Sequence, residues 1–302
     1  MSEGTLPDLF GKSVRHIHAV GVGGMGLGPL AIYLVARGWR VTGEELAMSD
    51  RMAEQLSRGG VELLPPGDIP VEADLVVYSS AVPLTDSTRI WAENSGVKQV
   101  RRGELLAEVA RDLRVVGVAG SHGKTTVTAM LISLLSAAKL PVNYVLGGLF
   151  SDPNIAPAAS AECDWLVIEI DESDGTIDLF APAITVLVNL DWDHADRYVE
   201  SREIETVFAG LVSRTKETIL RWSDCDLSAQ VFAAVETDSN SFTFGREGDF
   251  QGRLQADGSL ELSGAFQITK SPLSARGAFN ALNATAALAT AQLMEAESLN
   301  EG

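Results

Sequence analysis

The sequence is short of cysteine, of positive charge and of long apolar runs, and each shortage excludes something. Its 302 residues include two cysteines, Cys163 and Cys225. No CxxC motif is possible and no disulfide framework is implied, which fits a reduced, cytoplasmic setting. Lys and Arg number 23 against 41 Asp and Glu, for a net charge of −18 and a pI near 4.6. Affinity for polyphosphate backbones comes from clustered cations, so no nucleic-acid partner is expected, and anionic membrane surfaces are disfavoured for the same reason. A small anionic ligand remains possible if its site carries locally positive groups. The most apolar stretch, about Val127 to Ala138, is shorter than the roughly 20 residues a membrane-spanning helix needs, so no membrane insertion is expected. Met1 to Lys12 contains acidic residues and no apolar centre, unlike a secretory signal.

Apolar residues make up 46% of the chain, enough for a large core. The length suggests two domains at roughly 100–200 residues each. Arg15–Val22 reads as a strand ending in glycines, and Gly26–Arg37 has helical spacing. Arg40–Thr42 and Ala73–Ser80 read as further strands. Asp50–Arg58, with Asp50 as N-cap, and Asp86–Asn94 read as helices. This alternation predicts an α/β domain, Rossmann-like and mostly parallel, over residues 1–112. Residues 113–302 read as a second, P-loop-type α/β domain. Val115–Ala119, Trp165–Ile170 and Ile184–Leu190 are continuous apolar runs, as expected of parallel strands buried on both faces. Lys124–Ala138, Ser201–Arg214 and the Ala-rich Gly277–Met294 read as helices, and Ser241–Lys270 as an antiparallel patch.

Two glycine loops each follow a strand and open a helix. The first, Gly21-Val22-Gly23-Gly24-Met25-Gly26, fits G-x-G-x-x-G. Glycines there allow a tight turn and the close approach of a pyrophosphate to a helix N-terminus. Glu44 and Glu45 stand where a ribose-binding acid would be. The second, Gly120-Ser121-His122-Gly123-Lys124-Thr125-Thr126, departs from the strict P-loop because Val118 holds the first glycine's position. Its mechanics are those of a nucleotide loop. Backbone N–H groups cradle phosphates, Lys124 reaches the β- and γ-phosphates, and the Thr125 hydroxyl suits Mg²⁺.

Two acidic segments end the following strands: Glu169-Ile170-Asp171-Glu172-Ser173-Asp174, and Asn189-Leu190-Asp191-Trp192-Asp193-His194-Ala195-Asp196. Strand ends are where open α/β sheets bind ligands. Carboxylates there suit Mg²⁺, whereas a His beside them also suits Zn²⁺ or Mn²⁺.

Taken together and in this order, GVGGMG, GSHGKTT, EIDESD and NLDWDHAD resemble the Mur ligase family. The resemblance implies three domains, which bind the UDP part of the substrate, bind ATP, and bring the incoming amino acid. It assigns His18, Gly23, Gly24, Met25, Gly26, Ser79, Ser80 and Ala81 to a UDP-sugar rather than to NAD. Gly120–Thr126, with Asn280 and Asn283, would bind ATP. Lys124, Glu169 and His194 would be catalytic, and Thr125, Glu169 and His194 would hold Mg²⁺ in preference to Zn²⁺. In Gly277-Ala278-Phe279-Asn280-Ala281-Leu282-Asn283, the family's G-R-H-N-x-x-N stretch carries Phe279 in place of its His. Phe can stack on adenine but cannot hydrogen-bond to it. The carbamylated Lys of several relatives is missing from Val207–Gly210, as in the family's L-alanine-adding and murein-peptide branches.

The activity the resemblance implies is ATP-dependent joining of L-alanine to UDP-N-acetylmuramate through an acyl phosphate, in peptidoglycan precursor synthesis. Residues 113–302 leave almost no room for a third domain of about 100–150 residues. Three explanations are open at this point: a truncated chain, a separate C-terminal ligase domain, or lost ligation. The competing readings are a non-catalytic nucleotide or UDP-sugar binding module, a murein-peptide ligase, and a nicotinamide oxidoreductase built on Gly21–Gly26.

Overall fold

The structure is a computed structural model and describes residues 6–172, 175–191 and 201–299. The chain divides into two units. One comprises Met1–Leu113 and Asn143–Asp164, the other Arg114–Val142 and Trp165–Gly302.

In the first unit the elements are β1 (His16–Val20), α1 (Leu27–Ala36), β2 (Arg40–Glu44), α2 (Asp50–Arg58), β3 (Glu62–Leu63), β4 (Leu75–Tyr78), α3 (Ser87–Ser95), β5 (Lys98–Arg101) and α4 (Arg102–Ala110). The sheet is all parallel, in the order β3-β2-β1-β4-β5. β1 is buried along its whole length, as a central strand covered on both faces must be. The order reverses between β1 and β4, so a crevice opens at their carboxyl ends. α2 is capped by Ser49, whose side chain accepts from the Met52 N–H. Asp50, expected as the cap, is instead the first helical residue, where its charge suits the helix dipole. Asp86 caps α3 by accepting from the Thr88 and Arg89 N–H groups. β5 and α4 carry no strong apolar period and were not foreseen.

The second unit contains β6 (Arg114–Ala119) and α5 (Lys124–Ala137). The next two strands, β7 (Asn143–Val145) and β8 (Ala158–Ala159), pair antiparallel and belong to the first unit, where they pack on α1. The contiguous division at residues 112 and 113 had placed this segment in the central domain. Its docking explains the difference, because the side chains of Gln55 and Arg58 on α2 both donate to the Pro153 carbonyl, at 2.6 and 3.2 Å.

The second unit resumes with β9 (Trp165–Glu169), β10 (Ile184–Leu187), α6 (Ser201–Arg214), β11 (Thr218–Trp222), α7 (Asp226–Ala233), β12 (Asn240–Gly245), β13 (Phe250–Leu254), β14 (Leu260–Gly264), β15 (Lys270–Ser271) and α8 (Ala278–Leu299). Its strands run β15-β14-β13-β12-β11-β10-β6-β9. β9 through β13 are parallel neighbours in that order, and β13, β14 and β15 are antiparallel. The antiparallel patch expected from Ser241 therefore begins only at β13. α8 lies against α5, β12 and β13. Gly252 on β13 permits the close approach, since a Cβ there would overlap the Thr285 side chain on α8. Val116, Val118, Leu166, Val167, Ile168, Val186 and Leu187 are almost wholly buried. Each such side chain contributes roughly 1.5–3 kcal/mol of apolar burial.

Candidate functional site

The second glycine loop joins β6 to α5, at the carboxyl edge of the sheet. Val118 lies in β6, fully buried and opposite Glu169 and Val186 in register. The first glycine position of a strict P-loop is thus a strand residue here, and the turn is confined to Gly120–Gly123. Gly120 has φ +134° and Gly123 φ +84°, conformations that L side chains avoid. Asn189, just after β10, clasps the turn. Its side chain accepts from the His122 N–H and donates to the His122 carbonyl, both at 2.8 Å. The Ser121 hydroxyl bridges to Asp191, donating to its carbonyl at 3.0 Å and accepting from its N–H at 2.8 Å.

At the start of α5, Lys124 Nζ donates to the Gly120 carbonyl at 2.6 Å and lies 3.1 Å from Glu172 Oε2. The Thr125 hydroxyl donates to Glu169 Oε2 at 2.8 Å. Thr126 is half-buried one residue on. Asn283 on α8 is 9% exposed, and its Oδ1 lies 3.0 Å from where a Cβ on Gly123 would be. The structure thereby brings Gly123, Lys124, Thr125, Glu169 and Asn283 together. Asn280 lies one turn earlier on α8, with its amide donating to the Arg276 carbonyl at 2.8 Å. Phe279 is 82% exposed at the rim of a cavity of about 570 Å³, lined by Trp222, Arg246, Arg253 and Leu282 among others.

Thr125 and Glu169 present two oxygen donors in contact, which fits a hard cation such as Mg²⁺. His194 lies outside the described residues, as do Asp193 and Asp196. Among the described residues, no group of three or more His, Cys, Asp or Glu stands ready for a metal.

The first glycine loop joins β1 to α1 and borders a cavity of about 410 Å³ at the carboxyl ends of β1, β2 and β4. Gly24, Ser79 and Ala81, all expected at the site, line it together with Gly21, Glu44, Glu45 and Leu46. Ser80 is exposed, and Met25 is 46% exposed. Gly26 is the N-cap of α1, and the Arg102 side chain lies across it, with Cδ 2.8 Å from where a Cβ would sit. His18 is fully buried beneath the loop and is not among the lining residues. Its Nδ1 hydrogen-bonds to the Thr42 hydroxyl at 2.8 Å, and its Nε2 lies 3.6 Å from Glu44 Oε1. Glu44 also accepts from the Thr88 hydroxyl and the Gly67 N–H. Burial alone raises this carboxyl's pKa. The nearby His18 ring and the hydrogen bonds from Thr88 and Gly67 outweigh burial and hold the pKa below its ordinary value. Glu44 thus lines the cavity with its carboxylate already engaged by Thr88 and Gly67.

Three residues of the two sites went unassigned in the sequence. Glu172 and Asn189 stood in plain view within acidic segments, where nothing local distinguishes a residue that pairs with a loop from a solvated one. Arg102 follows β5, and only the parallel pairing of β5 with β4 carries it to the first loop.

Two family models match the chain. "Mur ligase family, catalytic domain" covers residues 16–114 and "Mur ligase middle domain" covers residues 118–291. The UDP-N-acetylmuramate–L-alanine ligase of Coxiella burnetii is 30% identical over 94% of this chain and 63% of its own length. That of Syntrophobacter fumaroxidans is 32% identical over 96% and 63%. The chain thus spans less than two thirds of the length of these relatives. Among solved structures, the UDP-N-acetylmuramate:L-alanyl-gamma-D-glutamyl-meso-diaminopimelate ligase of Neisseria meningitides aligns with a TM-score of 0.79 at 26% identity, covering 92% of this chain and 93% of that one. The UDP-N-acetylmuramate-alanine ligase of Thermotoga maritima shares the fold, with a TM-score of 0.80 at 23% identity over 93% of this chain and 65% of that one. With both family models matched in order along one chain, and most of its residues covered by them, this protein belongs to the Mur ligase family.

Proposed function

We propose that this chain carries the UDP-N-acetylmuramate and ATP sites of an ATP-dependent ligase that adds L-alanine to the muramic acid carboxylate. The observation that carries the proposal is the second loop, with Lys124, Thr125 and Glu169 assembled at one helix N-terminus. In the proposed reaction the substrate carboxylate attacks the γ-phosphorus of ATP, and ADP leaves. The amine then attacks the resulting acyl phosphate, losing a proton as inorganic phosphate departs. No nucleophilic side chain is needed, because the work is positioning and charge stabilisation. The N–H groups at the start of α5 and Lys124 hold the phosphate oxygens, and Lys124 must leave Glu172 to reach them. Thr125 and Glu169, with His194 as the third family position, would hold Mg²⁺, which neutralises phosphate charge when bound. The cavity beside Gly24, Ser79 and Ala81 would take the UDP-sugar. The absence of any membrane-crossing helix among the described residues is compatible with cytoplasmic chemistry on soluble precursors.

The Neisseria ligase, whose solved chain is matched over 93% of its length, favours a second reading. In it the incoming amine belongs to a peptide rather than to free alanine. Phosphate release measured with ATP, Mg²⁺ and UDP-N-acetylmuramate, and either L-alanine or L-alanyl-γ-D-glutamyl-meso-diaminopimelate, tests both. Turnover with one amine selects between them. No turnover with either, despite binding of both nucleotides, leaves a binding module.

A further inference from the structure

The first glycine loop already holds an oxyanion supplied by its own chain. The Gly23 N–H donates to Glu45 Oε2 at 3.2 Å, and the other carboxylate oxygen accepts from the Leu46 N–H at 2.9 Å. A Cβ on Gly23 would lie 2.7 Å from Glu45 Cγ and 2.6 Å from Met48 Cβ. The space left by the missing side chain is therefore filled from within, by residues 45–48. The Gly21 and Val22 N–H groups donate to the Glu44 carbonyl at 2.9 and 3.2 Å, and the Gly24 N–H donates to the Gly21 carbonyl at 3.2 Å. Glu45 also lines the 410 Å³ cavity. Glu45 thus stands both in that cavity and on the Gly23 N–H, so an anion seeking this donor meets a carboxylate already on it.

We infer that Glu45 is an internal competitor for the anionic part of the ligand and sets the affinity and selectivity of this site. The inference rests on the proposal that the cavity takes a UDP-sugar. A diphosphate gains the Gly23 N–H only by displacing the Glu45 carboxylate, and it then sits beside that like charge. Bare phosphates are thereby held off. A ligand with a nucleoside to bury against Leu46, Pro66, Val82 and Pro83 brings binding energy that a bare phosphate lacks. The other use of an acid at this position, accepting from ribose hydroxyls, predicts the opposite sign for its removal.

Calorimetric titration with uridine, UDP and inorganic pyrophosphate separates the two uses. It is run on the full chain carrying Lys124→Ala, so that the second loop does not take up the probes, with and without Glu45→Gln. Glu45→Ala is a second variant, and thermal melting checks that each is folded. Loss of one charge-assisted hydrogen bond and one like-charge contact is expected to tighten UDP and pyrophosphate by at least about fivefold, with uridine unchanged. Weaker binding of UDP and uridine together overturns the inference, as does unchanged UDP affinity. If UDP binds neither protein, the UDP-sugar proposal fails on its own. The pyrophosphate arm then decides the competition, with tighter binding supporting it and unchanged binding overturning it.

Discussion

Lys124 Nζ sits between the Gly120 carbonyl, at 2.6 Å, and Glu172 Oε2, at 3.1 Å, so the one lysine of the second loop is neutralised inside its own chain. Glu172 is 2% exposed, and the attraction between such charges strengthens as water is excluded. Glu45 occupies a backbone donor of the first loop in the same manner. Both glycine loops of this acidic chain thus carry an internal carboxylate.

Glu172→Gln keeps the shape of the side chain and removes its charge. It is expected to lower the melting temperature, because Lys124 loses its counter-ion in a mostly buried place. Nucleotide affinity is expected to move the other way, with ATP binding about threefold or more tighter once Lys124 is released to the phosphates. Differential scanning fluorimetry and titration with a fluorescent ATP analogue read the two effects separately. An unchanged ATP affinity would show that Glu172 does not restrain the lysine. Lys124→Ala should abolish binding.

Thr125 and Glu169 are joined by a hydrogen bond of 2.8 Å, so each alone is a weak cation ligand and the pair is the unit. Glu169→Gln should leave metal-free ADP binding unchanged within about twofold and remove most of the enhancement that Mg²⁺ gives. Titrating ADP with and without Mg²⁺ checks this. Equal loss under both conditions would assign Glu169 to the nucleotide rather than to the cation.

Glu44 gives the first unit a pH dependence of definite sign. Its pKa is lowered from 4.5 in the folded chain. The stability it contributes is therefore fully present above that value and is lost as pH falls through the lower folded pKa. Urea unfolding of Glu44→Gln and of the unsubstituted chain should differ most at neutral pH and converge below pH 4.5. A difference that grows on acidification would contradict this placement of Glu44.

Much of this was legible in the residues because period and punctuation agree. β1, β6, β9 and β10 are apolar runs ending in glycine or acid, and such runs in an α/β order admit few folds. Ser49 displaced Asp50 as a cap because the two are adjacent and equally suited, and only backbone geometry separates them. β12 looked antiparallel because a short alternating strand reads the same whichever way its neighbour runs. Residues 143–164 lie within the central domain in sequence, and their docking onto α1 and α2 is a property of packing that no local pattern carries. His18 drew a ligand assignment from the family pattern, whereas its full burial beside Thr42 and Glu44 supports the loop from below.

Gly123 and Gly258 form a matched pair for testing how α8 meets the second loop. Their φ values are +84° and +82°, so an alanine at either meets the same left-handed backbone penalty, roughly 1–2 kcal/mol. Their surroundings differ. Nothing lies within 4 Å of a Cβ on Gly258, whereas one on Gly123 meets Asn283 Oδ1 at 3.0 Å and Val188 Cγ1 at 3.4 Å. Asn283 is 9% exposed on a helix packed along α5, so it has little room to retreat. Gly258→Ala should therefore show the conformational penalty alone and bind ADP normally. Gly123→Ala should lose a further 0.5 kcal/mol or more, roughly what an off-rotamer side chain costs, and should bind ADP at least about tenfold more weakly. Urea midpoints and ADP titrations on the two variants give the difference directly. Equal destabilisation and equal ADP affinity would mean that Asn283 yields freely and that α8 does not fix the loop.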